Sequence, residues 1–325
     1  MAAPGISPSG SAPSRRVVYL GPAGTFTETA VGRAPGTAGA ERVPVASVDA
    51  ALAAVRDGEA DLAVVPIENS VEGGVTSTLD ALGAGRPLSI RAEVLVPVAF
   101  VLAVRPGTTM RDILRVGSHP HALAQCRGWV AQNLPQAVTV PALSTAAAAQ
   151  VLAGEGEAPY DAALCAEPAA VAAGLDVLAR DVADNAGAVT RFVVVSRPAA
   201  PPAPTGSDKT TVVAALAEDR SGALLELLEQ FATRGINLTR IESRPVGTAL
   251  GRYTFSIDCE GHVADPRVGE ALMGLHRVCP QVRYLGSYPR ADGLAPVPPP
   301  GTSDDDFTAA RSWLSQLLEC GEVSS

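Results

Sequence analysis

Residues 61–82 read DLAVVPIENSVEGGVTSTLDAL, and this stretch decides the fold class. Asp61 to Ile67 is a nearly unbroken apolar run of strand length, and Thr76 to Leu82 has the composition of a short helix. Between them Glu68, Asn69 and Ser70 crowd the strand's end, followed by Gly73 and Gly74. Polar side chains just past a strand's C-terminal end are where ligands bind in open α/β sheets, and paired glycines let backbone approach a ligand closely. The alternation continues on both sides. VVYL (17–20) precedes a helix near Thr27, and VPVAFVLAV (96–104) is a further apolar run. VGS (116–118) precedes HALAQCRGWVAQ, VTVPAL (138–143) precedes STAAAAQVLAG, and DAALCA (161–166) precedes EPAAVAAGL. Such βα alternation specifies an α/β domain, and strands this apolar imply a parallel sheet covered on both faces.

RPAAPPAPTGSD (197–208) interrupts the pattern with prolines and small residues, as a semi-rigid linker does, and a domain boundary is expected there. Beyond it the order is strand (TTVVAALA), helix (SGALLELLEQFATRG), strand (INLTRIESRP), strand (RYTFSIDCEG), helix (PRVGEALMGLHRVC), strand (VRYLGSYP). This is the βαββαβ, ferredoxin-like order. Leu224, Leu227, Leu228 and Phe231 form one stripe of its first helix, which Gly235 ends. After Pro289 the chain turns Pro-rich and then acidic at Asp304–Asp306, and FTAARSWLSQLLEC (307–320) reads as an amphipathic helix docked on the protein's own surface.

A chain of 325 residues favours two globular units. The net charge of −9 opposes nonspecific binding to nucleic acid or anionic membrane, so an anionic ligand needs locally focused positive potential. The five cysteines are scattered, without a CxxC pair, and fit reduced thiols better than disulfides or zinc. The opening MAAPGISPSGSAPS lacks the basic and apolar blocks of a signal peptide, and no run is long enough to span a bilayer, so a cytoplasmic protein is expected.

Four constellations could carry chemistry. In YLGPAGTFTETA, Thr25 and Glu28 have capping-box spacing at a helix start, where free amides attract anions. Glu68–Ser70 end the strand quoted above. In VGSHPHALAQC, Ser118 reads as a helix cap with His119 and His121 at the helix mouth, suited to substrate hydrogen bonding more than to metal. Ser144 and the stretch from Cys165 to Pro168 head further helices that would converge on the same cleft. In DNAGAVTRFVVVSR, Thr190 offers a hydroxyl and Arg191 a fork suited to a carboxylate, although an arginine at a strand end is usually solvated or ion-paired. No phosphate-binding loop, HExxH, GxSxG or GxGxxG is present, which leaves a polar cleft for an anionic small molecule.

GPAGTFTETA, PIENSVEGGVTSTLD, SHPHALAQC and VTRF, in that order, resemble the prephenate dehydratase family, and GALLELL with ESRP resemble the phenylalanine-binding motifs of its ACT domain. The resemblance spans Arg16 to Pro289. The family usually has Ser where Thr27 stands and often Gln where His121 stands. A single activity is expected, since only the Pro/Ser-rich lead precedes the first strand. The resemblance implies a two-lobed α/β domain of periplasmic-binding-protein type, with lobe one at 16–93 and 182–197, lobe two at 94–181 and crossings near Val94 and Val182. A linker (198–208), the ACT domain (209–290) and a tail (291–325) follow; residues 1–15 are a lead without structure.

It further implies decarboxylative dehydration of prephenate to phenylpyruvate without metal or other cofactor. Thr190 would donate to the departing hydroxyl, with Glu68 the alternative acid if burial raises its pKa. Arg191, Asn69, Ser70, Thr25 and Ser118 would anchor carboxylates, His119 and His121 would bind substrate, and Phe192 would pack the lobes or face the ring. L-Phenylalanine would bind between two ACT domains at Gly222, Ala223 and Leu224 and at Glu242, Ser243, Arg244 and Pro245, in a homodimer or homotetramer. The rival readings are an arogenate dehydratase, which acts on the amino analogue, and a non-catalytic sensor of aromatic or amino acids.

Overall fold

The computed structural model describes residues 15–218, 220–245 and 253–320, so the lead at 1–14 and the last five residues lie outside the described residues. Lobe one begins with β1 (Arg16–Leu20), α1 (Phe26–Arg33), β2 (Glu41–Val45), α2 (Val48–Asp57) and β3 (Leu62–Asn69). The two-residue β4 (Gly73–Gly74), α3 (Thr76–Gly83) and β5 (Ser89–Pro97) complete its first pass. Lobe two comprises β6 (Val101–Val104), β7 (Arg115–Ser118), α4 (Pro120–Gln125), α5 (Arg127–Asn133), β8 (Val138–Pro141), α6 (Thr145–Ala153), β9 (Ala162–Cys165), α7 (Glu167–Ala172) and β10 (Asp176–Ala179). The chain then returns to lobe one as β11 (Val189–Ser196).

The lobe-one sheet has the order β2-β1-β3-β11-β5, with β4 on β3, and the lobe-two sheet the order β10-β6-β9-β7-β8. Two lobes joined by two crossings form the periplasmic-binding-protein arrangement. The sheets are mixed, not parallel. β11 re-enters from the other lobe and lies antiparallel between β3 and β5, and β6 is antiparallel to β9 and β10. The crossings also lie a few residues beyond the positions near Val94 and Val182 that the family resemblance implied. Pairing of β5 with β11 continues to Pro97 opposite Val189, and Val98, Phe100, Val182 and Ala188 belong to the core of lobe two. The run VPVAFVLAV is thus two strands in two sheets, apolar throughout because the crossing between two cores is itself buried.

The third unit is β12 (Asp208–Ala215), α8 (Ala223–Ala232), β13 (Leu238–Pro245), β14 (Tyr253–Glu260), α9 (Pro266–Val278) and β15 (Gln281–Pro289), with sheet order β13-β14-β12-β15. All its pairings are antiparallel, which is the ferredoxin-like topology. The helices cover one face around Val212, Leu227, Phe231, Ile257 and Leu275. The other face packs on lobe one, where Val213, Leu285 and Tyr288 join the core formed by Ile90, Val193 and Val195. Gly286 makes this close approach possible, since a Cβ there would collide with the Ile90 carbonyl. α10 (Asp304–Cys320) lies against α9, tied by Asp304 to the Arg267 amide and by Arg311 to Glu270.

Candidate active site

The site is built around a local irregularity in β3. Ala63, Val65 and Ile67 of this strand face the core shared with the ferredoxin-like unit, so strict alternation would send Asn69 the same way. Pairing with β11 instead slips between Phe192, opposite Pro66, and Arg191, opposite Glu68, leaving Ile67 as a bulge. A bulge turns every later side chain to the other face. Glu68 consequently shares Arg191's side, and Asn69 stands beside Thr190 on the cleft side.

There the Asn69 amide nitrogen donates to Thr190 Oγ1 at 2.8 Å. Asn69 Oδ1 accepts from the Val71 amide at 2.8 Å and the Glu72 amide at 3.3 Å, which fixes which end of the amide faces Thr190. Because the threonine oxygen is accepting, its own proton is left to point into the cleft. Phe26, Val98, Phe100, Ala122, Ser144 and Thr145 line this hollow of about 210 Å³ together with Asn69, Thr190, Glu72, His119, His121 and Gln125. An adjoining hollow shares Glu72, His121 and Gln125 and reaches Asp184 and Asn185. Phe26 of lobe one and Phe100 at the crossing meet edge to face, with centroids 5.6 Å apart.

Among the described residues lining these hollows there is no lysine or arginine. Positive potential comes from the N-terminus of α6, capped by Ser144 Oγ, and from the His121 imidazole when it carries a proton. His119, not Ser118, is the cap of α4, its Nδ1 accepting from the His121 amide. Burial, then the neighbouring His121, pull His119 below the usual imidazole range, with Glu72 opposing. It therefore favours the neutral form. His121 meets Glu72 at 2.5 Å, and Gln125 donates to the same carboxylate at 2.9 Å.

Several expected site residues lie elsewhere. Arg191 is buried on the opposite face of β11 and donates to Glu93, Asp258 and the Tyr288 hydroxyl, with Glu68 at 3.4 Å. Its donors are spent between lobe one and the ferredoxin-like unit, so it does not anchor a carboxylate in the cleft. Glu68 is drawn to the same side and is no neighbour of Thr190's hydroxyl. Phe192 is packed inside lobe one with Val17, Tyr19 and Val94, away from both the lobe contact and the hollow. Ser118 is fully buried and donates to the Leu164 carbonyl. Ser70 Oγ accepts from the Val189 amide, prolonging the pairing of β3 and β11. Thr25 caps α1, accepting from the Glu28 amide and donating to the Leu20 carbonyl, while Glu28 reaches the Gly24 amide.

Phe26, Phe100, Glu72, Gln125 and Thr145 were not singled out by the sequence. A signal existed for one, because Gln125 follows His121 at the i, i+4 spacing that shares a helix face.

In the ferredoxin-like unit Gly222 takes a left-handed conformation to start α8, Ala223 is buried and Leu224 half-exposed. Ala223 lines a hollow of about 30 Å³ with Leu216, Arg220 and Glu226. Glu242 and Arg244 face lobe one. Glu242 accepts from the Gly74 amide at 3.1 Å, and Arg244 grips Asp80 with two bonds of 2.8 and 2.9 Å. A Cβ on Gly74 would stand 2.6 Å from the Glu242 carboxylate, so a larger residue there would push that side chain aside. Ser243 and Pro245 are exposed.

A two-lobed domain with a hydroxyl-lined cleft, joined to a ferredoxin-like module, defines the class as a small-molecule enzyme with a regulatory unit. The prephenate dehydratase family model matches residues 17–200 and the ACT domain model residues 211–277. The chain is 50% identical over 311 residues to the prephenate dehydratase of Mycobacteroides abscessus, covering 94% of this chain and 98% of that protein. It is similar to the crystal structure of an Arthrobacter aurescens prephenate dehydratase in complex with L-Phe, with 56% identity and a TM-score of 0.88 over 94% of this chain and 99% of that one. A structure described as GqqA, a novel type of quorum quenching acylase, is 34% identical with a TM-score of 0.74, covering 85% and 98% of the two chains. The chain belongs to the prephenate dehydratase family, whose members are hydro-lyases of phenylalanine biosynthesis. Among the described residues no helix is long and apolar enough to cross a membrane.

Proposed function

We propose that the cleft converts prephenate to phenylpyruvate, with Thr190 as the hydrogen-bond donor to the departing hydroxyl. The observation that carries this is the Asn69 amide held against Thr190 Oγ1, which leaves the threonine proton facing the hollow. The ring C–OH bond breaks as the ring C–carboxylate bond releases CO2, and the electron pair of the latter completes the aromatic ring. One proton is taken up as hydroxide leaves as water. A threonine hydroxyl is too weak an acid to supply that proton outright, so it stabilises or relays, an effect worth about a hundred- to ten-thousandfold in rate. Phe26, Val98 and Phe100 offer an apolar wall to the ring and keep the scissile carboxylate poorly hydrated, which favours CO2 loss. The N-terminus of α6 and His121 would hold the dianion.

L-Phenylalanine would act as effector between two copies of the ACT domain, in a homodimer or homotetramer, at Gly222–Leu224 of one copy and Glu242–Pro245 of the other. The contacts of Glu242 with Gly74 and of Arg244 with Asp80 support a mechanical link, since an effector that draws on β13 shifts the turn carrying Asn69. Phenylpyruvate formation from purified protein and prephenate, with and without L-phenylalanine, tests both halves. Wild-type protein that releases no phenylpyruvate would overturn the reaction, and turnover indifferent to L-phenylalanine would overturn the regulation. Parallel assays with the amino analogue arogenate and with an acylated amide would reveal a different substrate.

A further inference from the structure

The cleft presents a carboxylate where a dianion must enter. Glu72 stands on the β3–β4 turn of lobe one, and His121 and Gln125 stand on α4 of lobe two, so the contacts at 2.5 and 2.9 Å cross the mouth between the lobes. Unneutralised, Glu72 would repel the substrate, and the Gln125 hydrogen bond would be the remaining polar tie between this turn and α4. Three other groups bear on the imidazole. His119 lies edge to face at 4.9 Å, Asp184 borders the same hollow, and Glu72 itself is in contact. Asp184 is occupied by the Gly128 and Trp129 amides at the start of α5. Burial, and then repulsion from His121, disfavour a proton on His119, and the imidazole that touches Glu72 is that of His121.

We propose that Glu72 and His121 form a proton-dependent clasp that closes the lobes over substrate and cancels the carboxylate's repulsion of it. The clasp is charged when His121 is protonated and Glu72 ionised, and its charge is lost as pH rises through the imidazole's titration. Glu72 is additionally a positioning residue, because its amide donates to the Asn69 oxygen that orients Thr190's partner.

This inference rests on the proposed reaction, and its test separates the two. KM for prephenate in the wild type should rise roughly two- to fivefold between about pH 5.5 and 8.5, the scale expected when an exposed ion pair loses its cation. His121→Gln, which keeps a hydrogen bond without the charge, and Glu72→Gln should each flatten that rise, with kcat changing less than KM. The double variant should add nothing to either single one. A rise that persists in His121→Gln and disappears in His119→Asn would overturn the clasp. Hydrogen exchange of residues 119–125, compared at one pH, needs no turnover: it should quicken in Glu72→Gln, and unchanged exchange would also overturn the clasp. Wild-type protein that yields no phenylpyruvate at any pH would refute the reaction, while the exchange measurement would still judge the clasp.

Discussion

Thr190 and Arg191 are neighbours in β11, yet the two faces of the strand do different chemistry. On Thr190's face a few polar groups linked by a handful of hydrogen bonds surround an open hollow. On Arg191's face Arg191, Lys209 and Arg240 meet Glu93 and Asp258 in a buried network that joins lobe one to the regulatory unit. Burial alone would raise the Asp258 carboxyl, but Arg191 and Arg240 hold it far below the usual carboxylate range. Burial alone would lower Arg191, and Asp258, Tyr288 and Glu93 outweigh it and raise it. A single Thr-Arg-Phe motif therefore contains a hydroxyl lining the cleft, an interdomain bolt and a core residue in succession.

The sharpest way to break this comparison is Thr190→Val. It should reduce kcat about a hundred- to ten-thousandfold with prephenate affinity nearly intact, and thermal unfolding should shift little. Thr190→Ser should retain much activity. Arg191→Met should do the reverse, costing about 3–5 kcal/mol of stability by taking from buried Asp258 and Glu93 the cation they share and leaving each with one. That corresponds to roughly 10 °C in Tm. Arg191→Lys should also fail to support the fold, because one ammonium cannot reach partners on both units that the fork serves. An Arg191 variant with unchanged Tm and a raised KM would return this residue to the cleft. Asn69→Asp sharpens the other side. A carboxylate in place of the amide would draw the threonine proton to itself, and kcat should fall by about a hundredfold.

Much of this contrast was legible in the sequence, and the missing part has one cause. The βα alternation, the Pro-rich stretch between the two units, the βαββαβ order and the family follow from hydropathy, composition and motif resemblance. The face on which each residue of the motif stands does not. Strand alternation correctly separates Thr190 from Arg191, but the bulge at Ile67, which places Asn69 with Thr190 and Glu68 with Arg191, leaves no compositional mark. An arginine fork beside a threonine at a cleft reads as a carboxylate anchor until its partners are known. Those partners, Asp258 and Tyr288, stand 67 and 97 residues away in another unit. Ser118 likewise has the residue type and position of a helix cap, and burial against Leu164 moves that task to His119.

The network's pH dependence offers a gentler test. The folded-state pKa of Asp258 is depressed, so its contribution is fully present above the ordinary aspartate value, about pH 4, and fades as pH falls below it. The stability gap between wild type and Asp258→Asn should be widest at neutral pH and narrow below about pH 4. Urea unfolding of both proteins at several pH values measures it. A gap of constant size down to about pH 2 would mean that the carboxylate is not paired as the structure has it.

The smallest effect on stability should come from Arg244→Ala, and it bears most directly on how the two units communicate. Arg244 and Asp80 are a bidentate pair like those of the buried network, but their side chains are 28% and 53% exposed. Water screens such a pair, so its loss should cost less than about 1 kcal/mol. If the buried network holds the units together while Glu242 and Arg244 transmit strain from β13 to β4 and α3, the variant should unfold nearly as wild type does. Its basal turnover should remain close to normal, and saturating L-phenylalanine should alter that turnover less while still shifting Tm. A variant that keeps the full response would leave Glu242 and Gly74 as the sole link through this strand. One that loses several kcal/mol would show that exposed and buried pairs share the mechanical load, and the division between holding and transmitting would fail.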